Sequence, residues 1–427
     1  MMAAILGKSH ALPGAEDIHR QVLSNGITVL ARPNFNSSAV SVSGYLHAGS
    51  LAEPDDKLGL ADFVASALMR GTQRRDFDQI YDELEAVGAT FGYDSGTHTT
   101  SFGGRSLAED LGLLLGLFGE TLRTPVFPEA EIERLRAQLL TGLAIRAQDT
   151  SDMADLVFDE VLFENHPYAR PADGWPRTIL AITRQDLLDF HASFFGPRGM
   201  VIAIVGGIEP ARAVEAVERV LGSWQPGGQK AMPPLPPVQA LAETVRRHHS
   251  IPGKSQTDLV VGTLGPRRAD PEYFSAALGN SVLGQFGMMG RIGEVVREKA
   301  GLAYYAYSSM SAGMGPGTWS VSAGVNPSKV KKTVSLILRE LKRFTQKGVT
   351  RRELGDCQSN FIGRLPLSLE SNAGVAAALL NIQRHDLGLD YYRKYPECIR
   401  RVTREDVVET ARRYIDPDRL VITSAGP

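Results

Sequence analysis

Two side chains seven residues apart, Arg297 and Tyr304, have the chemistry to handle a peptide backbone. They lie in Arg291-Ile-Gly-Glu-Val-Val-Arg-Glu-Lys-Ala-Gly-Leu-Ala-Tyr-Tyr-Ala-Tyr-Ser308. A guanidinium is a permanently charged, planar donor for carbonyl oxygens. A phenol can donate to an oxyanion as its charge develops. The stretch reads as helix to Lys299, a turn at Gly301 and a strand from Leu302, so the two side chains flank one turn. Taken without context, the commoner outcome is a surface arginine and a tyrosine packed with Tyr305 and Tyr307.

A second candidate is Gly59-Leu-Ala-Asp-Phe-Val-Ala-Ser-Ala-Leu-Met-Arg-Gly-Thr72. Leu60, Val64, Ala67 and Leu68 recur at helical spacing. Arg70 falls in the last turn and Gly71 just past it. Asp62 and Ser66, at i and i+4, share another face, where a metal-binding helix would set two histidines. A catalytic zinc needs three protein donors, and here only Asp62 can ligate.

The remaining clusters favour simpler roles. Asp152, Asp155, Asp159 and Glu160 form an acidic helical stripe; oxygen-ligand cation sites usually wrap the ion in a loop, so an exposed helix face is expected. His47, His98, His166, His191 and the adjacent His248-His249 assemble no metal set. Gly284-Gln-Phe-Gly-Met-Met-Gly290 follows a helical pattern, whereas a dinucleotide loop follows a strand; a turn is expected. Cys357 and Cys398 form no C-x-x-C pair, so free thiols in a reducing compartment are expected. Lys331-Lys332, Lys342-Arg343 and Arg351-Arg352 read as solvated helix faces. With 46 basic and 48 acidic residues and a net charge of −2, nothing points to a nucleic-acid or anionic-membrane partner. Residues 1–13 lack a signal-peptide core and no apolar run reaches membrane-spanning length. A soluble, cytoplasmic protein is the expectation.

The elements that must position these residues alternate between strand and helix. An Asn25-Gly26 turn divides two apolar runs in 18–32, and Ala39–His47 alternates as a half-buried strand. Helices are expected over 77–87, 107–122 and from Glu129, with a strand hairpin over 90–103. A Pro/Gly-rich linker, 225–238, splits the 427 residues almost evenly. The two sides repeat. Thr183-Arg-Gln-Asp and Thr403-Arg-Glu-Asp each open a capped helix. Each helix is followed by a proline turn and a Val-Ile strand ending at Gly206 or Gly426, in a register of 220 residues. The expected fold is α+β: two homologous halves, 1–224 and 239–427, each an antiparallel-rich sheet with helices packed on it.

These motifs resemble one family. Gly-Leu-Ala-x-Phe at 59–63 and Arg-Gly-Thr at 70–72 resemble the zinc helix of the pitrilysin/insulinase metallopeptidases, in the branch of mitochondrial processing peptidase and its bacterial relatives. That family carries an inverted H-x-x-E-H motif, and the resemblance spans roughly Ile18 to Gly426. It lays the first His on Asp62, the Glu on Ala65, the second His on Ser66 and the third ligand, a Glu, on Gly142. The chain is therefore expected to bind no metal and to have no catalytic residues of its own. Residues 297–304 resemble the family's R-E-x-x-G-L-A-Y signature, which implies that Arg297 and Tyr304 hold the substrate backbone and help stabilise the oxyanion. The resemblance implies a non-catalytic, substrate-binding subunit of a heterodimeric zinc endopeptidase that cleaves unfolded peptides. Its homologous partner would carry zinc in an intact H-x-x-E-H. The alternative is an inactive scaffold or peptide-binding homologue with no catalytic partner.

Overall fold

A computed structural model describes residues 12–427; the expectation for the N-terminal 1–13 falls almost wholly outside these residues. The chain forms two compact units. The first takes the chain up to Leu143, Pro171–Pro234 and Pro366–Arg393; the second takes Ala144–Arg170, Leu235–Leu365 and Lys394–Pro427. The expected halves 1–224 and 239–427 do not coincide with them. One crossing falls in the expected linker, between Pro234 and Leu235, but each half also gives a segment to the other unit.

The first unit is built on six strands, β1 (His19–Val22), β2 (Thr28–Pro33), β3 (Ala39–Leu46), β4 (Thr90–Ser95), β5 (Thr100–Leu107) and β6 (Val201–Gly206), in the order β1-β2-β6-β3-β5-β4. The second has β7 (Val245–Ser250), β8 (Thr257–Gly265), β9 (Ala303–Met310), β10 (Gly317–Val325) and β11 (Val421–Gly426), in the order β7-β11-β8-β10-β9. Only β2/β6 and β7/β11 are parallel. Thr28 pairs with Val201 and Val245 with Val421, so the repeat holds strand for strand, although the 220-residue offset of β6 and β11 shortens to 217 at β2 and β7. The first sheet has one strand more, β1. Thr183 and Thr403 both cap their helices, accepting from the backbone N–H of Asp186 and Asp406 while those carboxylates reach back.

Some local expectations shift. Gly26 takes φ 93° in the first hairpin turn, and buried Asn25 donates to the carbonyls of Leu221 and Trp224. The expected 107–122 helix starts at Leu111, because Leu107 still belongs to β5. In the acidic stripe Asp152 and Asp155 are exposed, but Asp159 is half-buried. Desolvation, then the Asp155 carboxylate, pushes Asp159 up to about 7.

Each sheet is covered on both faces, so β6 is buried along its whole length. One face of the first sheet, with Val29, Val42, Ile202 and Ile204, packs on the main helical layer. Its other face, with Leu30, Tyr45, Val201 and Val205, packs on Val375, Ala376 and Leu379 of the Asn372–Arg384 helix. In the second sheet Val260, Val421 and Ala425 pack on Met153, Ala154 and Phe158 of the Thr150–Leu162 helix. The two covering helices hold equivalent places in the repeat, after the long helices Glu129–Arg146 and Arg351–Ser368. Each therefore covers the other half's sheet.

Burying one aliphatic side chain contributes roughly 1.5–3 kcal/mol. Either half made alone would thus expose one whole sheet face. Fragments 1–234 and 235–427 are each expected to aggregate or to bind a hydrophobic dye, and to become soluble and dye-free when co-expressed. Cooperative unfolding of either fragment alone would show that the exchange is dispensable.

Candidate functional site

In the first unit the degenerate helix spans Leu60–Ala67, with Phe63, Val64 and Ala67 fully buried. Gly59 enters it at φ 92°. Buried Glu53 accepts from the N–H groups of Gly59 at 3.0 Å and Ala61 at 2.6 Å. This carboxylate at the helix start was not legible beforehand, since it lies six residues upstream in a loop. The helix ends in a tight turn over Leu68–Arg70, and Gly71 takes φ 147°.

Asp62 and Ser66 are half-buried, Ala65 is 1% exposed, and Gly142 is exposed on the Glu129–Arg146 helix. A side chain added at Gly142 would enter open space. A methyl at 65 and a hydrogen at 142 offer no donor, so one carboxylate and one hydroxyl remain. That set does not fit a catalytic zinc. Among the described residues no group of three or more His, Cys, Asp or Glu is arranged to hold a metal ion. Desolvation, then the Asp173 and Asp94 carboxylates, pushes Asp62 up to about 6.

In the second unit Arg297 lies in the last turn of Gly293–Lys299, a wide helix with i→i+5 bonding. The N–H groups of Gly301 and Leu302 return to the carbonyls of Arg297 and Val296, and Gly301 takes φ 61°, which a side chain would strain. β9 begins two residues on. Tyr304 is 83% exposed, and its hydroxyl has no hydrogen-bond partner among the described residues. The Arg297 side chain is 35% exposed, and the Glu298 carboxylate lies 3.8 Å from its Nε. No hydrogen bond or cation–π contact joins Arg297 to Tyr304 among the described residues. Tyr305 points to the opposite face of the strand, where its hydroxyl donates to Asp258 at 2.5 Å. Asp258, 3% exposed, also accepts from Gln256 at 2.9 Å and from Thr150. Of the three tyrosines Tyr304 is the most exposed, at 83% against 38% for Tyr307.

Just ahead of this helix, buried Arg291 is clamped to half-buried Glu353. Arg291 Nε and Nη2 each donate to Glu353 at 2.7 Å, a bidentate pair. Despite desolvation, the bonds from Arg291 and from the Thr350 N–H hold Glu353 down at about 2. Beside the clamp a cavity of 280 Å³ is lined by Phe286, Met288, Arg291, Glu294, Glu298 and Cys357, among others. Phe286 and Met288 belong to the expected turn, which is non-helical from Gly287 to Gly290.

Residues 28–171 match the profile of insulinase (peptidase family M16), and residues 181–361 match that of the peptidase M16 inactive domain. The chain belongs to the peptidase M16 family. An uncharacterized zinc protease of Streptomyces coelicolor is 27% identical over 368 residues, covering 85% of this chain and 79% of its own. Another, from Mycobacterium bovis, is 25% identical over 93% of this chain and 90% of its own. The solved structure of a peptidase M16 inactive domain from Pseudomonas fluorescens matches with a TM-score of 0.88 at 27% identity. That match covers 96% of this chain and 98% of the other. A Helicobacter pylori protease at 18% identity shares the fold, with a TM-score of 0.89 over 97% of this chain and all of its own. The M16 chain has no described helix long and apolar enough to cross a membrane.

The raised Asp62 gives a pH test. Below about pH 4 both folded and unfolded chains hold its proton. Between about 4 and 6 the unfolded chain releases it first, so stability falls with rising pH and levels off above 6. Asp62→Asn is therefore expected to stabilise the protein by about 1–3 kcal/mol at pH 8 and by little at pH 4. Urea unfolding of both proteins at the two pH values checks this; a difference independent of pH would refute the buried-carboxylate account.

Proposed function

We propose that this chain is the substrate-binding, non-catalytic subunit of a heterodimeric M16 zinc endopeptidase that cleaves unfolded peptides. The observation that carries the reading is a contrast between the two units. Tyr304, seven residues after Arg297, offers an exposed phenol with no hydrogen-bond partner among the described residues, while the helix at the family's metal position carries Asp62, Ala65 and Ser66. The zinc belongs to a homologous partner with an intact H-x-x-E-H; this chain binds none. Arg297 holds substrate carbonyls, and the Tyr304 hydroxyl donates to the oxyanion of the bond being cleaved. Cys357 and Cys398 are unpaired, which supports a reducing compartment and a cytoplasmic complex. Such an obligate pair commonly buries upwards of about 2,000 Å².

Protein purified alone should hold no stoichiometric zinc and cleave no peptide. Co-expressed with the zinc-bearing homologue from its own genome, it should co-elute as a heterodimer that cleaves a quenched peptide. In that complex Tyr304→Phe should cut kcat about a hundred- to a thousand-fold. Arg297→Ala should also raise KM, because it grips the peptide before reaction. Both should assemble normally and leave the partner's zinc in place. Tyr307→Phe is the control, since Tyr305 is committed to Asp258. Assembly with unaltered turnover in both variants would make this subunit a scaffold. A chain that pairs with no H-x-x-E-H homologue would remove the heterodimer altogether.

A further inference from the structure

The internal repeat exposes a difference between the two sheets. β2 and β7 are equivalent in register: the N–H of Thr28 donates to Met200 and that of Val245 to Leu420, while Asn34 donates to Gly206 and Ile251 to Gly426. In a parallel pair alternate residues bond to the neighbouring strand. Hence Arg246, His248 and Ser250 turn their backbone N–H and C=O groups away from β11, as Val29 and Ala31 turn theirs away from β6. In the first sheet those outward groups meet β1, antiparallel, with Gln21 opposite Val29 and His19 opposite Ala31. In the second sheet no described strand fills the corresponding slot.

The slot also has a charge. Arg246, Arg247 and His248 are exposed, and His249 is half-buried. Neither arginine forms an ion pair among the described residues. Arg246 and His248 project from one face of the strand, Arg247 and His249 from the other. A second copy of the chain would set these arginines against each other, and like charges directly opposite are destabilising. An acidic strand would pair with cations on both faces.

We propose that the open edge of β7 docks an extended acidic segment of a partner polypeptide, added antiparallel as the sixth strand of the second sheet in the register that β1 uses on β2. Main-chain bonds at Arg246 and His248 supply the pairing, and the two arginines, Arg246 and Arg247, select the charge. This docking is separate from the Arg297 and Tyr304 contacts and does not depend on them.

The test uses the full-length protein and the capped peptide Thr-Glu-Glu-Glu-Val-Thr, at millimolar concentration. In the β1 register its three glutamates face His248, Arg247 and Arg246 in turn. Hydrogen exchange across Val245–Ser250 is expected to slow on binding. N-methylating the first and third glutamates, whose amides face β7, is expected to abolish the effect; methylating the second alone is expected to preserve it. The lysine counterpart is expected not to bind. Arg246→Glu with Arg247→Glu, both exposed, should weaken the glutamate peptide by about tenfold or more. Unchanged exchange with the glutamate peptide would overturn the proposal, leaving the arginines as guards of a sheet edge. Binding indifferent to N-methylation or to charge reversal would overturn it equally.

Discussion

Both faces of each sheet carry apolar side chains in this protein, and water must be kept from both. In each unit one face is met by helices from the same half of the sequence and the other by a single helix from the opposite half. Leu30, Tyr45, Val201 and Val205 depend on Val375, Ala376 and Leu379; Val260, Val421 and Ala425 depend on Met153, Ala154 and Phe158. The remaining order follows from this exchange. It is what makes two repeated halves one molecule, and it brings Thr150 to the Asp258 carboxylate that also holds Tyr305. Tyr305 is thereby fixed on one side of β9 and Tyr304 presented on the other.

The Leu60–Ala67 helix keeps its shape for a reason separable from any metal chemistry. Phe63, Val64 and Ala67 are core, and Glu53 secures the first turn. Asp62 and Ser66 lie on a half-buried face and Gly142 in the open. Side chains at these positions are less constrained by packing than the core positions of the same helix. The second unit is built the other way round. Arg297 rests on a wide helix that follows the Arg291–Glu353 clamp, where removing Glu353 would leave the buried Arg291 charge without its partner.

Much of this was legible in the sequence, and the exceptions have a common cause. Period-two strands, capped helices and the 220-residue repeat are local signals, and Thr183 and Thr403 cap as read. The helix, turn and strand read over 291–308 placed Arg297 and Tyr304 on either side of the Gly301 turn, as found. What was hidden is non-local. No spacing joins Glu53 to the amides of Gly59 and Ala61, or Arg291 to Glu353. No periodicity says which sheet the Thr150–Leu162 helix will cover. Asp159 resembled its exposed neighbours in sequence, and only the packed helix shows it half-buried with its proton held up to about pH 7.

The crossed helices also bear on how the chain emerges from a ribosome. β6 is finished at Gly206, but the Asn372–Arg384 helix that covers it is made some 166 residues later. At bacterial or eukaryotic rates of about 5–20 residues per second, the first sheet waits on the order of 8–30 s with one face bare. Bare apolar strands are what nascent-chain chaperones bind and what aggregates grow from. The second sheet has no such interval, because the Thr150–Leu162 helix precedes every strand it will cover. The two repeats, alike in strand order, therefore face unequal hazards in biosynthesis, the N-terminal one the longer wait.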